Sequence, residues 1–320
     1  MKLFQHSSFR DAIIAAQEHF APLGLTEQLI EKDYYVTEAL RLVANSWPTQ
    51  VIFKGGTSLS KGWKLIERFS EDIDLFLYRE AFNPPLSRNG VDRELKAITE
   101  VVSNHPGLTL LKGEGFSKKG VSRNSYFSYS PEFSAIPAIA NRVLLEMGTR
   151  SGSYPTEEIL LRSYLAEFLE DTQNSLDAED ESPFPMVLLH FRRTFVEKMF
   201  TIHSKVVMYQ QQGTPIGSYA RHYYDLFCLA QHPQVQQMLE SEEYGEIKAD
   251  CDQISRLSFP KSYAPPENMS FSTSEALFPT GELSQVISRE YTQQCSNLCY
   301  GSFPDWQEVE ACFLAMGDLL

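Results

Sequence analysis

Asp72 and Asp74, one residue apart in the segment DIDLFLY, are the residues of this chain best suited to chemistry. The segment alternates and is rich in apolar and aromatic residues, which reads as a strand. On a strand, side chains at i and i+2 share a face, so the two carboxylates lie side by side. Ile73, Leu75, Phe76 and Leu77 imply partial burial, where paired negative charges repel and cost free energy unless cations intervene. Mg²⁺ suits carboxylates that share a site with phosphate oxygens. An acidic pair on a solvated edge strand is the plainer alternative. Glu146, inside the apolar run VLLEMG, is the candidate third carboxylate.

Just upstream runs KGGTSLSKG, residues 54–62. It follows the apolar run VIF and is expected to open a helix through 69. Glycines let backbone amides approach a phosphate, and a helix amino terminus favours negative charge. Lys54, Gly55, Gly56, Thr57 and Ser58 are therefore candidate triphosphate contacts. The pattern is not a P-loop, because Ser60 stands where that motif needs its second glycine. Alone, the segment also fits an ordinary strand-to-helix turn.

Cations come from the second half. HFRRTFVEKMFTIHSKV, residues 190–206, puts Arg193 and Glu197 on one helical face and surrounds Lys198 with apolar residues. Lys198 is a candidate point charge for triphosphate oxygens, with Arg193 beside it. Asp225, amid the aromatics of YARHYYDLFCLA, is a candidate buried partner for Lys198 or Arg221, or a catalytic base. His203 and His222 lack metal-ligand spacing and read as structural.

These residues need a sheet and helices to hold them. Apolar periodicity predicts helices over 7–20 and 25–44, with Thr26 capping the second, and another over 92–103. Strands are predicted over 51–56, through DIDLFLY and over 141–149, with strands and turns in 108–133. Residues 156–169 read as a helix capped by Thr156. The acidic, proline-bearing stretch 170–185 reads as a connector. From 186 onward helices dominate, beginning with 187–211. The expected domains are 1–170 and 186–320.

Composition sets outer bounds. A chain of 320 residues with 42% apolar content can bury a sizeable core. It contains neither a long apolar run nor a signal-peptide pattern, so a cytoplasmic protein with no membrane partner is expected. The five cysteines form no disulfide framework, and Cys295 and Cys299 read as buried thiols rather than a zinc site. The formal charge of −14 repels nucleic acid at long range, so any RNA contact requires a local basic surface. Residues 186–224, with Arg192, Arg193, Lys198, Lys205 and Arg221 against Glu197, are the expected one.

KGGTSLSKGWKLIERFSEDIDLFL resembles the signature of the AbiEii/AbiGii toxin family of nucleotidyltransferase-like proteins. The resemblance continues through IEKDYYVTEAL, RVLLEMGTR, RTFVEKMFTIH and RHYYDLFCLA, in the family's order. It implies an α+β, polymerase-β-like nucleotidyltransferase core with a mixed sheet and a helical C-terminal lobe. It also implies a toxin of a bacterial toxin–antitoxin or phage-defence system, with a cognate antitoxin. Asp72 and Asp74 match the metal-binding aspartates, and Lys198 and Asp225 match the lysine and aspartate of the helical lobe. Lys32 and Asp33 match an element to which no role is assigned. The expected reaction moves a nucleotide from a nucleoside triphosphate to an RNA 3′ end, tRNA foremost, with two Mg²⁺ ions. A protein or small-molecule acceptor, or a non-catalytic partner-binding role, stays open beside it.

Overall fold

In the computed structural model, residues 1–70, 72–134 and 140–320 are described. They form two compact units, one of residues 1–149 and 156–189, the other of 150–155 and 190–320.

The first unit is built on a mixed sheet. Its strands are β1 (Val51–Lys54), β2 (Asp72–Leu77), β3 (Thr109–Leu110), β4 (Ser117–Lys118), β5 (Ser122–Ser128), β6 (Arg142–Gly148), β7 (Thr156–Leu161) and β8 (Phe184–Leu189). They are ordered β3-β5-β6-β2-β1-β8-β7, with β4 paired to β5. β2 runs parallel to β6 and β1 parallel to β8, while the other pairs are antiparallel. Its helices are α1 (Phe9–His19), α2 (Glu27–Ser46), the single turn α3 (Gly55–Thr57), α4 (Arg88–Ser103) and α5 (Tyr164–Asp171).

Alternation decides which sheet face is core. Phe53, Ile73, Leu75, Val143, Leu145, Met147 and Phe127 are buried on one face. Against that face packs α4, whose Thr99 hydroxyl meets Ser125 of β5 at 3.0 Å. α2 adds Ile30, Tyr34, Leu40 and Val43 to the buried set and touches β6 and β8. Thr26 caps α2 as expected, accepting from the Leu29 N–H. The other sheet face carries Lys54, Asp72, Asp74, Leu144, Glu146, Asn124 and Tyr126, all half-buried. It continues as a small apolar cluster of Ile52, Phe76 and Leu189.

Three sequence expectations need correction. The helix expected through residue 69 stops at Gly62, after one α turn and a π-helical turn over Ser58–Gly62. Lys64 then takes a left-handed conformation at φ 53°. Gly62 is held against Leu188, where a Cβ would come within 2.2 Å of its side chain. Residues 156–161 are strand β7, and the cap is Ser163, which accepts from the Ala166 N–H at the start of α5. Apolar Ile159–Leu161 fits either period, and pairing with β8 decides it. Residues 187–189 likewise belong to β8, and the long helix begins at Phe191.

The second unit is helical: α6 (Phe191–Gln212), α7 (Arg221–Ala230), α8 (Pro233–Leu239), α9 (Glu242–Ser258), α10 (Gly281–Leu298) and α11 (Trp306–Met316). Its core includes Phe195, Met199, Tyr223, Leu226, Phe271, Tyr291 and Phe313. All five cysteines are free thiols.

Candidate active site

One transverse row of the sheet collects the chemistry. Lys54 of β1 is in register with Asp74 of β2, Asp74 with Glu146 of β6, and Glu146 with Asn124 of β5. Residues in register share a face with Cβ atoms about 5 Å apart. Asp72 lies two residues along the same face. A carboxylate oxygen from each of Asp72, Asp74 and Glu146 lies within 4.8 Å of the others. At that spacing each charged pair repels by about 3 kcal/mol at an effective dielectric of about 20. Three hard oxygen donors at this separation fit a divalent cation such as Mg²⁺, which would reverse the sign of that term.

The neighbours fix how the acids point. Asn124 Nδ2 donates to Glu146 Oε1 at 2.8 Å. Ser70 Oγ donates to Asp72 Oδ1 at 3.0 Å. Neither residue stood out in the sequence. Asn124 had one available signal, its odd-numbered spacing from buried Ser125 and Phe127, which puts it on the polar face.

The glycine turn fits against the acids. Gly55 has φ +75°, and a Cβ there would lie 1.9 Å from Asp74 Oδ2. A Cβ on Gly56 would lie 2.7 Å from the guanidinium of Arg68, which is fully buried and donates to the Phe69 carbonyl at 3.0 Å. Thr57 Oγ1 donates to the Asp72 carbonyl, and Ser58 Oγ to the Gly55 carbonyl at 2.9 Å. The turn is thus fastened to β2, and both hydroxyl protons go to backbone oxygens.

Asp33 gains a role. Its Oδ1 accepts from Lys61 at 2.6 Å, and its Oδ2 accepts from the Tyr164 N–H at 2.8 Å, in the first turn of α5. It therefore ties the π-helical turn behind the glycines to the helical layer. Lys32 donates to the Ala140 carbonyl at 2.9 Å and lies 4.6 Å from the Phe69 ring centroid.

In the helical unit, Lys198 and Asp225 form a buried ion pair at 2.7 Å. His222 Nδ1 lies 3.1 Å from the Lys198 ammonium, so it belongs to this cluster, which its sequence spacing did not reveal. His203 Nδ1 lies 2.7 Å from the Ser274 hydroxyl. Arg193 is buried and bonds Glu197 at 3.1 Å, Asp250 at 2.6 Å and the Tyr154 carbonyl at 2.9 Å. Arg192 pairs with Glu243 at 3.0 Å, and Lys205 stacks on Tyr219 at 4.0 Å. Acids from α7 and α9 thus engage much of the positive charge that the sequence of this region offered.

A mixed sheet bearing three adjoining carboxylates beside a glycine turn, together with a helical unit, is the arrangement of a nucleotidyltransferase-like protein. The sequence matches the family described as "Nucleotidyl transferase AbiEii toxin, Type IV TA system" over residues 39–311. The chain belongs to the AbiEii nucleotidyltransferase toxin family, which implies a nucleoside triphosphate substrate and an antitoxin. No curated protein matches it. A solved structure described as that of a candidate nucleotidyltransferase from H. pylori is similar at 14% identity and a TM-score of 0.39, covering 91% of this chain and 99% of that one. Among the described residues, no helix is long and apolar enough to cross a membrane.

Proposed function

We propose that the protein transfers a nucleotide from a nucleoside triphosphate to an RNA 3′ end, as the toxin of a toxin–antitoxin pair with a role in phage defence. The observation that carries this reading is the trio Asp72, Asp74 and Glu146 on adjoining strands beside the glycine turn. These carboxylates would hold Mg²⁺. Such ions, when bound, activate an attacking hydroxyl and stabilise the leaving pyrophosphate. Asn124 and Ser70 hold two of the three carboxylates in orientation. Lys54, half-buried in the same row, supplies positive charge for the triphosphate, and Gly55 and Gly56 keep the adjoining backbone free of side chains. Thr57 and Ser58 complete the turn. Lys198, held by Asp225, is assigned to the triphosphate from the family resemblance, and Arg193 organises the helix that carries it.

Incubation with α-labelled nucleoside triphosphates, total RNA and total protein tests the reading. Label in RNA, tRNA first, is the expected result. Label in protein or in a small molecule moves the acceptor to another class, and no label anywhere contradicts nucleotidyl transfer.

A further inference from the structure

The first unit displays an unspent basic surface beside its acids. Residues 112–119 are exposed without interruption, and they read KGEGFSKK. Lys112, Lys118 and Lys119 form no ion pair among the described residues, and the side chain of Phe116 stands in solvent at 63% exposure. An exposed phenylalanine flanked by lysines and glycines pairs a stacking face with point charges. Asp92 reports the local field. Already bonded to Lys96 at 2.9 Å, its carboxyl is held below the usual range first by that bond and further by Lys119 and Arg123.

The segment is joined to the acids by a short bonded path. The Phe116 carbonyl accepts from the Asn124 N–H at 2.7 Å, and the Asn124 side chain donates to Glu146 at 2.8 Å. Nearby on the acids' face of the sheet, the Arg142 guanidinium lies 4.6 Å from the Tyr126 ring centroid. Tyr126 is in register with Leu144, and Leu144 with Asp72. The Arg142 guanidinium also pairs with Glu114 of the segment at 3.2 Å, so lysines, aromatic rings and one Arg–Glu pair lie between the solvent and the carboxylates.

We propose that the 112–119 segment, with Lys112, Phe116, Lys118 and Lys119, is the docking surface for the single-stranded end of the RNA acceptor. Lysines hold its phosphates, Phe116 stacks on a base, and the Tyr126–Arg142 pair guides the terminal nucleotide toward Asp72. This inference rests on the reading that the acceptor is RNA. It locates the local basic surface that an acidic chain needs, on the sheet unit rather than on the helical one.

The test uses the full-length protein with a fluorescent single-stranded RNA, measured by anisotropy from low to moderate salt, alongside label transfer to the same RNA. Lys112→Glu/Lys118→Glu/Lys119→Glu is expected to flatten the slope of log K against log salt by about 2, for three phosphate contacts. Phe116→Ala is expected to weaken binding by about tenfold. In both variants the KM for RNA rises and the KM for the nucleotide does not. Wild-type slope and affinity in the triple variant overturn the proposal, and all the more so if it self-associates, because the lysines then only guard a sheet edge. Loss of an acidic protein partner with RNA binding intact also overturns it. If the wild-type protein neither binds nor labels RNA, the RNA reading itself fails, a result distinct from a failure of the surface alone.

Discussion

Replacing Gly55 with alanine tests whether Asp74 is held against the glycine turn in the working protein. Two costs add. The first is backbone: φ is +75°, where an L-residue is disfavoured by about 1–2 kcal/mol, offset in part by the stiffer unfolded chain. The second is steric. The new Cβ would lie 1.9 Å from Asp74 Oδ2, 2.7 Å from its Cγ and 3.0 Å from its Cβ. Rotating the carboxylate clears only the oxygen, so the strand must also shift, at about 1–3 kcal/mol. The sum is about 2–4 kcal/mol. Gly113 supplies the control, since it lies in the same unit at φ +91° with nothing within 4 Å of an added Cβ. Gly113→Ala therefore reports the backbone cost alone, about 1 kcal/mol. At about 2–4 °C per kcal/mol, the melting shifts are about 2–4 °C for Gly113→Ala and about 5–15 °C for Gly55→Ala. The larger loss should come with loss of the Mg²⁺-dependent rise in Tm, because Asp74 has left the trio, and the Gly113 variant should keep that rise. Equal shifts in the two variants, with the Mg²⁺ response of Gly55→Ala intact, would refute the packing of Asp74 on the turn.

Other perturbations separate the site from its scaffold. Asp72→Asn and Asp74→Asn should each cut label transfer by orders of magnitude, yet melt no lower without metal, since each removes two of the three pairwise repulsions within the trio. An acidic pair with no role would leave transfer at the native rate. Lys198→Met leaves Asp225 buried without its 2.7 Å partner and should cost about 3–5 kcal/mol in denaturant melts, whereas Lys198→Met/Asp225→Leu should recover part of it. His105 is buried with Nδ1 accepting from the Gly107 N–H, and burial, with Lys2 nearby, lowers its pKa to about 4. Glu38, 3.8 Å from His105 Nε2, is already engaged by Lys2 and Arg41. The neutral ring is thus favoured by folding. Its contribution, at most about 3 kcal/mol, is whole above about pH 6.5, declines as pH falls toward 4, and changes no further below that. His105→Asn, which keeps an acceptor for Gly107, should flatten this limb of a stability–pH curve, and an unchanged limb would contradict the assignment.

The elements that hold the site were legible where one period dominated. The β2 alternation put Asp72 and Asp74 on one face, and the apolar run around Glu146 made a strand. The placement of those strands side by side, which brings Glu146 to Asp74, is a long-range pairing that local pattern does not encode. Ile159–Leu161 and Val187–Leu189 were misread as helix for a related reason. Short apolar runs suit both periods, and only the mutual pairing of β7 and β8 settles them. Arg68, Ser70 and Asn124 were overlooked because their roles depend on what they face across a turn or a strand. The basic stretch 190–206 is more fully paired than its composition suggests, since beyond its own Glu197 the acids that engage it, Asp225, Glu243 and Asp250, lie elsewhere in the chain.

The most direct test of the site is the binding of Mn²⁺, as a spectroscopic substitute for Mg²⁺, followed by electron paramagnetic resonance with a non-hydrolysable nucleoside triphosphate. The wild-type protein should take up the ion in the presence of nucleotide, and Asp74→Asn and Glu146→Gln should lose most of that uptake while remaining folded. Uptake unchanged in both variants would contradict the assignment of Asp72, Asp74 and Glu146 as the metal site.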